Sequence, residues 1–212
     1  MTQTVDMKDA RAFVRDERIW PLAKRFLFAF APLADAGRVD AACGAGVAAR
    51  RGSPRVDAFV CERLGVAPLF HFFPADDGSS LLLLPAETYR RIGLWLAALS
   101  RAGELRNVIS GARVRELKSA LPGVYPEVLK VAPYFHKWRL PAADGDDFAA
   151  AGLRYLATAL KGLPAGLLER QRLRFPAELD GVFAPLDGDV EFAEVARLMQ
   201  LQFTEEYALC CS

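Results

Sequence analysis

Apolar residues along the chain recur mainly at three- and four-residue spacings, the period of a helix with one buried face. That pattern predicts a polar helix over residues 7–19 and a second over 21–30, where Pro21 suits a first helical position. An Ala-rich third is expected over 40–50. In "SPRVDAFVCERLG", Ser53 is placed to cap, Pro54 to open the first turn and Gly65 to stop the helix. Val56, Phe59, Val60 and Leu64 then share its inward face.

The stretch "VAPLFHFFPADDGSSLLLLP" breaks the period. Pro68, Pro74 and "DDGSS" mark a loop, and "LFHFF" and "LLLL" read either as two short strands of a hairpin or as buried loop. Helical spacing returns at Tyr89, Ile92, Leu96 and Leu99, with Gly103 as terminator. Ser110 is expected to cap a helix over 111–121, whose stripe is Val114, Leu117 and Leu121. Arg113, Arg115, Glu116 and Lys118 fall off that stripe. Pro122 and Gly123 interrupt, and a further helix over 125–135 turns Val128, Leu129 and Ala132 inward.

"LPAADGDD", residues 140–147, is the candidate subdomain break. Asp146 or Asp147 then caps a helix with Leu153, Leu156, Ala157 and Leu160 on one face. In "PAGLLERQRLRFP", Arg170, Arg172 and Arg174 alternate with Gln171, Leu173 and Phe175, which predicts an extended segment with a basic face. "LDGD" reads as a turn, and residues 190–209 as one terminal helix. The fold expected is mainly α: a single compact helical domain over residues 1–212 with a few short strands or a small hairpin.

Composition narrows the functional classes. The chain has 212 residues, 52% of them apolar, which is enough to build a real core. Lys plus Arg number 27 against 26 Asp plus Glu, so the net charge of +1 supplies no general attraction to nucleic acid or an anionic membrane. The four cysteines form no C-x-x-C pair, and His71 and His136 are the only histidines. A metal site needs more ligands at set spacings, and a disulfide framework is not indicated, which favours a reducing cytoplasm. The first residues are charged and lack the apolar core of a signal peptide. "RFLFAFAPLA" is the most apolar run, too short to cross a bilayer and interrupted by Pro32.

Chemical motifs are few. Gly44, Gly46 and Ala49 in "CGAGVAAR" have the spacing of a dinucleotide-binding turn, but "GRVDAA" before them is no buried strand. His71 and His136 stand without a confirming context for nucleophilic catalysis. The pairs Asp76–Asp77 and Asp146–Asp147 are explained by turns and caps. Glu169 and Glu178 flank the arginines of "RQRLR", which reads as a solvated face ahead of a site for an acidic protein partner, with nucleic acid last. Tyr134, Phe135, Trp138 and Arg139 cluster in "PYFHKWRLP" and are either interface anchors or the end of a core. "ALCCS" lacks the C-a-a-X order and reads as a frayed, reduced tail.

"CERLG", "LPAETYRRIGLWLAALSRAGELRNVISGARVRELKSALPGVYPEVL" and "AGLRYLATALKGLPAGLLERQRLRFP" together resemble the SctK/YscK family of type III secretion proteins, over residues 61–176. The chain departs from the family pattern at Pro122–Gly123, where a further helix follows. The resemblance implies a mainly helical, non-enzymatic cytosolic adaptor of the sorting platform, with no cofactor, no nucleic acid and no direct membrane insertion. Such an adaptor links the cytosolic domain of the SctD-type inner-membrane ring protein to the SctQ-type pod protein, which connects through SctL to the ATPase SctN. On that reading the expected partner-binding residues are Arg170, Arg172 and Arg174 together with Tyr134, Phe135, Trp138 and Arg139. The alternative is a stand-alone helical interaction module, a chaperone or regulator.

Overall fold

The structure is a computed structural model that describes residues 18–67, 78–135, 138, 140–141 and 147–210. In chain order its helices are α1 (Ile19–Phe28), α2 (Ala36–Cys43), α3 (Pro54–Arg63), α4 (Ala86–Ser100), α5 (Ala102–Arg106) and α6 (Gly111–Ala120). They continue with α7 (Glu127–Val131), α8 (Phe148–Ala159), α9 (Ala165–Arg172), α10 (Phe192–Gln202) and α11 (Thr204–Cys210). Short 3₁₀ turns cover Ala31–Leu33, Ala48–Arg50, Ser79–Leu83, Ala132–Phe135 and Ala177–Phe183. The fold is mainly α, as expected, and no strand occurs among the described residues. "LLLL" is therefore not half of a hairpin: Gly78 turns the chain at φ 89°, and Leu81 to Leu84 are buried on and after a 3₁₀ turn. "LFHFF" lies outside the described residues.

The chain divides into two units. One comprises Met1–Leu84, Leu163–Asp180 and Glu205–Ser212; the other comprises Pro85–Gly162 and Gly181–Thr204. The break expected at 140–147 falls inside the second unit. Packing explains why. Its two sides are joined by α4 and α8, which touch backbone to backbone where Gly93 meets Gly152. The Tyr155 hydroxyl also donates to the Pro141 carbonyl at 2.8 Å.

Caps set several boundaries. Ser53 accepts from the Val56 amide at 3.4 Å, and Pro54 opens α3 where the pattern placed it. Asp147, not Asp146, caps α8, accepting from the amides of Ala149 at 2.9 Å and Ala150 at 3.1 Å. Asp35 accepts from the Arg38 amide at 3.1 Å, so α2 starts and ends earlier than residues 40–50. The expected helix over 125–135 is shortened. Pro133 cannot donate to a helical ladder, and the α-helix gives way to a 3₁₀ turn at Ala132–Phe135. The expected terminal helix is broken at Phe203, whose ring is buried and whose φ and ψ of −139° and 53° leave the helical region.

Buried faces follow the pattern in part. Tyr89, Ile92 and Leu96 of α4, Leu117 of α6 and Leu153 and Leu156 of α8 are buried. Phe59 on α3 is not: it is 44% exposed, although Val60 beside it is fully buried.

Candidate functional site

Residues 164–175 form no extended basic segment. Pro164 precedes α9, and Ala, Leu, Glu, Gln and Arg are good helix formers. Leu167, Arg170 and Gln171 are buried at i, i+3 and i+4 on one face of α9, and Arg174, in the turn that follows the helix, is buried with Leu173 and Phe175. The alternation of arginines seen in the sequence is real as spacing but irrelevant as structure.

Both buried guanidiniums in the first unit bond backbone carbonyls. Arg170 donates to the Phe26 carbonyl at 2.6 Å and to the Ala67 carbonyl. Phe26 lies in the last turn of α1, where carbonyls favour a cation. Arg174 donates to the Leu82 carbonyl at 2.7 Å, the Leu84 carbonyl at 2.6 Å and Gln171 Oε1 at 2.8 Å. The planar fork of arginine sets two separate nitrogens, one on each of two carbonyls, whereas a lysine ammonium is a single point donor. Each guanidinium also lies over a ring: Arg170 is 5.4 Å from the Phe30 centroid and Arg174 is 5.9 Å from that of Phe26. Burial pushes the Arg170 guanidinium down from the ordinary arginine range. Arg170 and Arg174 are thus internal staples, and the expectation that they form a contact surface is corrected on that ground.

Arg172 points the other way. It pairs with Glu169 on its own helix and with Asp180, and Asp180 also pairs with Arg38. Hydrogen bonding to Glu169 raises the Arg172 guanidinium, and hydrogen bonding to Arg38 lowers the Asp180 carboxyl. Arg38 donates its Nε to the Phe175 carbonyl at 2.6 Å, so this charged cluster fixes the exit of α9.

The aromatic cluster divides. In the second unit Phe135 is buried, with the Arg197 guanidinium 5.3 Å from its ring centroid, so it closes a core. Trp138 is half-buried and its ring centroid lies 5.7 Å from that of Phe135. Trp138, Pro133, Leu99 and Leu140 border a cavity of about 880 Å³ whose remaining wall includes the small residues Ser100, Ala102 and Gly103, with Arg106 on it. Tyr134 is 61% exposed. Arg139 and His136 lie outside the described residues.

A second cavity, of about 570 Å³, lies within the first unit. Pro54, Asp57, Ala58, Cys61 and Glu62 of α3 form one wall, at i, i+3, i+4, i+7 and i+8. The last turn of α1 and the residues after it, Leu27 to Phe30, form another wall, and Arg170 and Val66 complete it. The sequence pattern assigned α3 a different face, through Val56 and Phe59, and so missed this one. Exposed Phe59 beside buried Val60 is the residue on which that assignment turned. Burial pushes the Cys61 thiol up, against the hydrogen bonding at Ala31 and the nearby Arg170 charge.

The other motifs resolve without chemistry. Gly44 and Gly46 have φ of 106° and 81° and follow α2 at its C-terminus. The Ala48 amide is taken by Asp40 at 2.8 Å, so the turn is closed by a carboxylate of the chain itself. His71, Asp76 and Asp77 lie outside the described residues. The expected frayed tail is stitched down at Cys210: the Ser80 hydroxyl donates to its carbonyl at 2.6 Å, and its thiol donates to the Ser80 carbonyl at 3.4 Å. No group of His, Cys, Asp and Glu among the described residues has the makings of a metal site, and no described helix is long and apolar enough to cross a membrane.

Comparison with known proteins gives one family. The family model described as YOP proteins translocation protein K (YscK) matches residues 45–211. No curated protein and no solved structure matches the chain.

Proposed function

Because this chain belongs to the YscK family of type III secretion proteins, we propose that it is a non-enzymatic cytosolic adaptor of the secretion sorting platform. In this reading it holds an SctQ-type pod protein and the cytosolic domain of an SctD-type ring protein, without a cofactor, at the cytoplasmic side of the inner-membrane apparatus. The observation that carries the proposal is the family match across residues 45–211, most of the chain.

Features of the structure support it. An adaptor needs separate surfaces for separate partners, and each of the two units has a cavity of its own. Arg170 and Arg174 bond inward, so the expected anchors left among the described residues are Tyr134 and Trp138, with half-buried Arg172 held by Glu169 and Asp180. Aromatic residues bordering a cavity are the usual hot spots of protein interfaces.

The test is a pull-down of each purified partner by the tagged chain, wild type and Trp138→Ala plus Tyr134→Ala. The adaptor reading expects one partner to be lost by the double variant and the other retained. If the wild-type chain retains neither partner, the adaptor reading fails and the stand-alone interaction module takes its place.

A further inference from the structure

We infer that the groove between the end of α1 and α3 is a docking site for a protein segment with one apolar face and a Lys or Arg beside its apolar anchors. The groove holds about 570 Å³, and Leu27, Phe28, Phe30, Ala58 and Val66 make it apolar. Phe28, at the edge of this hollow, is 39% exposed. One wall is helix α3 and the other is the end of α1 with the chain that follows it, a trough that can accept an apolar helix face.

Charge chooses the occupant. Asp57 and Glu62, one turn and a half apart on α3, stand on the wall as carboxylates: Glu62 is exposed, and half-buried Asp57 accepts from the Gly52 amide at 2.9 Å through Oδ1. The opposite charge in the groove, Arg170, is only 3% exposed, and its bonds run to the carbonyls of Phe26 and Ala67. An incoming segment therefore meets apolar surface edged with negative charge. A basic residue next to the anchors gains from that edge, and an acidic one is repelled. Cys61 lies between the two carboxylates on the same wall and reports occupancy, because a bound segment covers its thiol.

The inference does not depend on which secretion component is the partner. It is tested with the whole chain and two synthetic helical peptides that share one Leu/Phe face, one flanked by Lys and the other by Glu. The Lys-flanked peptide is expected to bind about tenfold more tightly than the Glu-flanked one. It is also expected to slow N-ethylmaleimide labelling of Cys61, read by mass spectrometry, while leaving Cys43 unchanged. Ala58→Trp fills the groove from an exposed position and removes both effects. Glu62→Lys, at the C-terminal end of α3 where a cation is tolerated, removes the preference for Lys. Circular dichroism and thermal melting establish that both variants fold. Equal binding of the two peptides, binding of neither, unprotected Cys61, or indifference to Ala58→Trp each overturns the inference. So does self-association of the chain that Ala58→Trp abolishes, since the occupant would then be a second copy.

Discussion

Gly93 and Gly152 let α4 and α8 meet with no side chain between them. A Cβ on Gly152 would lie 2.3 Å from the Gly93 carbonyl carbon and oxygen, and one on Gly93 would lie 2.9 Å from the Gly152 carbonyl carbon. Both positions are backbone contacts, so nothing flexible can yield. In an open helix, replacing Gly by Ala stabilises by about 0.5–1 kcal/mol. Here the overlap outweighs that gain. Gly152→Ala is expected to lower the unfolding free energy by about 1–3 kcal/mol or more. Gly93→Ala follows with a smaller loss. Gly103→Ala, in α5 with open space around it, is expected to be neutral or stabilising. Urea denaturation of the three variants checks the order.

The three arginines of residues 170–174 separate sharply by burial. Arg170→Met leaves the Phe26 and Ala67 carbonyls without their guanidinium donor, and Arg174→Met does the same for Leu82 and Leu84. Each is expected to cost about 2–4 kcal/mol. Arg172→Met removes pairs that are partly exposed, and its cost is expected to stay below about 1 kcal/mol. Arg174→Lys is expected to recover only part of the loss, because one ammonium nitrogen does not reproduce the fork's two separately placed donors. Equal losses at all three positions in chemical denaturation would show that the staples are not special.

Caps give a graded pair of outcomes. Asp147 takes two amides at 2.9 and 3.1 Å, whereas Ser53 takes one at 3.4 Å. Asp147→Ala is expected to cost about 1 kcal/mol and Ser53→Ala less. Thermal melts of the two variants side by side check it.

Stability is expected to fall at both ends of the pH scale. Hydrogen bonding to Arg38, with Arg172 nearby, lowers the Asp180 carboxyl in the folded chain. The folded state therefore holds that proton less tightly than the unfolded one. The contribution of Asp180 is complete above the ordinary carboxylate range and is lost as pH falls through its lowered value. Cys61 and Tyr155 are both raised, chiefly by burial, so the folded state holds their protons more tightly. Their contribution is complete below their ordinary ranges and is lost as pH rises toward their raised values. Asp180→Asn is expected to flatten the acid side and Cys61→Ala the thiol part of the alkaline side in denaturation curves taken across pH.

Elements fixed by local chemistry were legible in the sequence. Ser53, Pro54 and Gly65 mark α3, and Asp147 marks α8, because capping acts over three or four residues. What local pattern could not reveal was the direction of Arg170 and Arg174. Their partners are the carbonyls of Phe26, Ala67, Leu82 and Leu84, which are 90 to 144 residues away in the chain. Residues 170–174 fit a period of two through their arginines, whereas Leu167, Arg170 and Gln171 share one face of α9 and Arg174 is buried in the turn beyond it. Burial decided between them, and burial is a long-range property. The cavity-lining face of α3 was missed for a related reason: two faces of that helix carry apolar residues, and the fold buries the one that includes Val60 while leaving Phe59 exposed.

The central claim is that one copy of this chain holds two partners at once. Mix the full chain with an SctQ-type pod protein and the cytosolic domain of an SctD-type ring protein from the same source, then measure the mass of the eluted species by size-exclusion chromatography with light scattering. The account predicts a ternary species containing all three proteins that disappears when this chain is left out. Two separate binary species, or three free proteins, would contradict it.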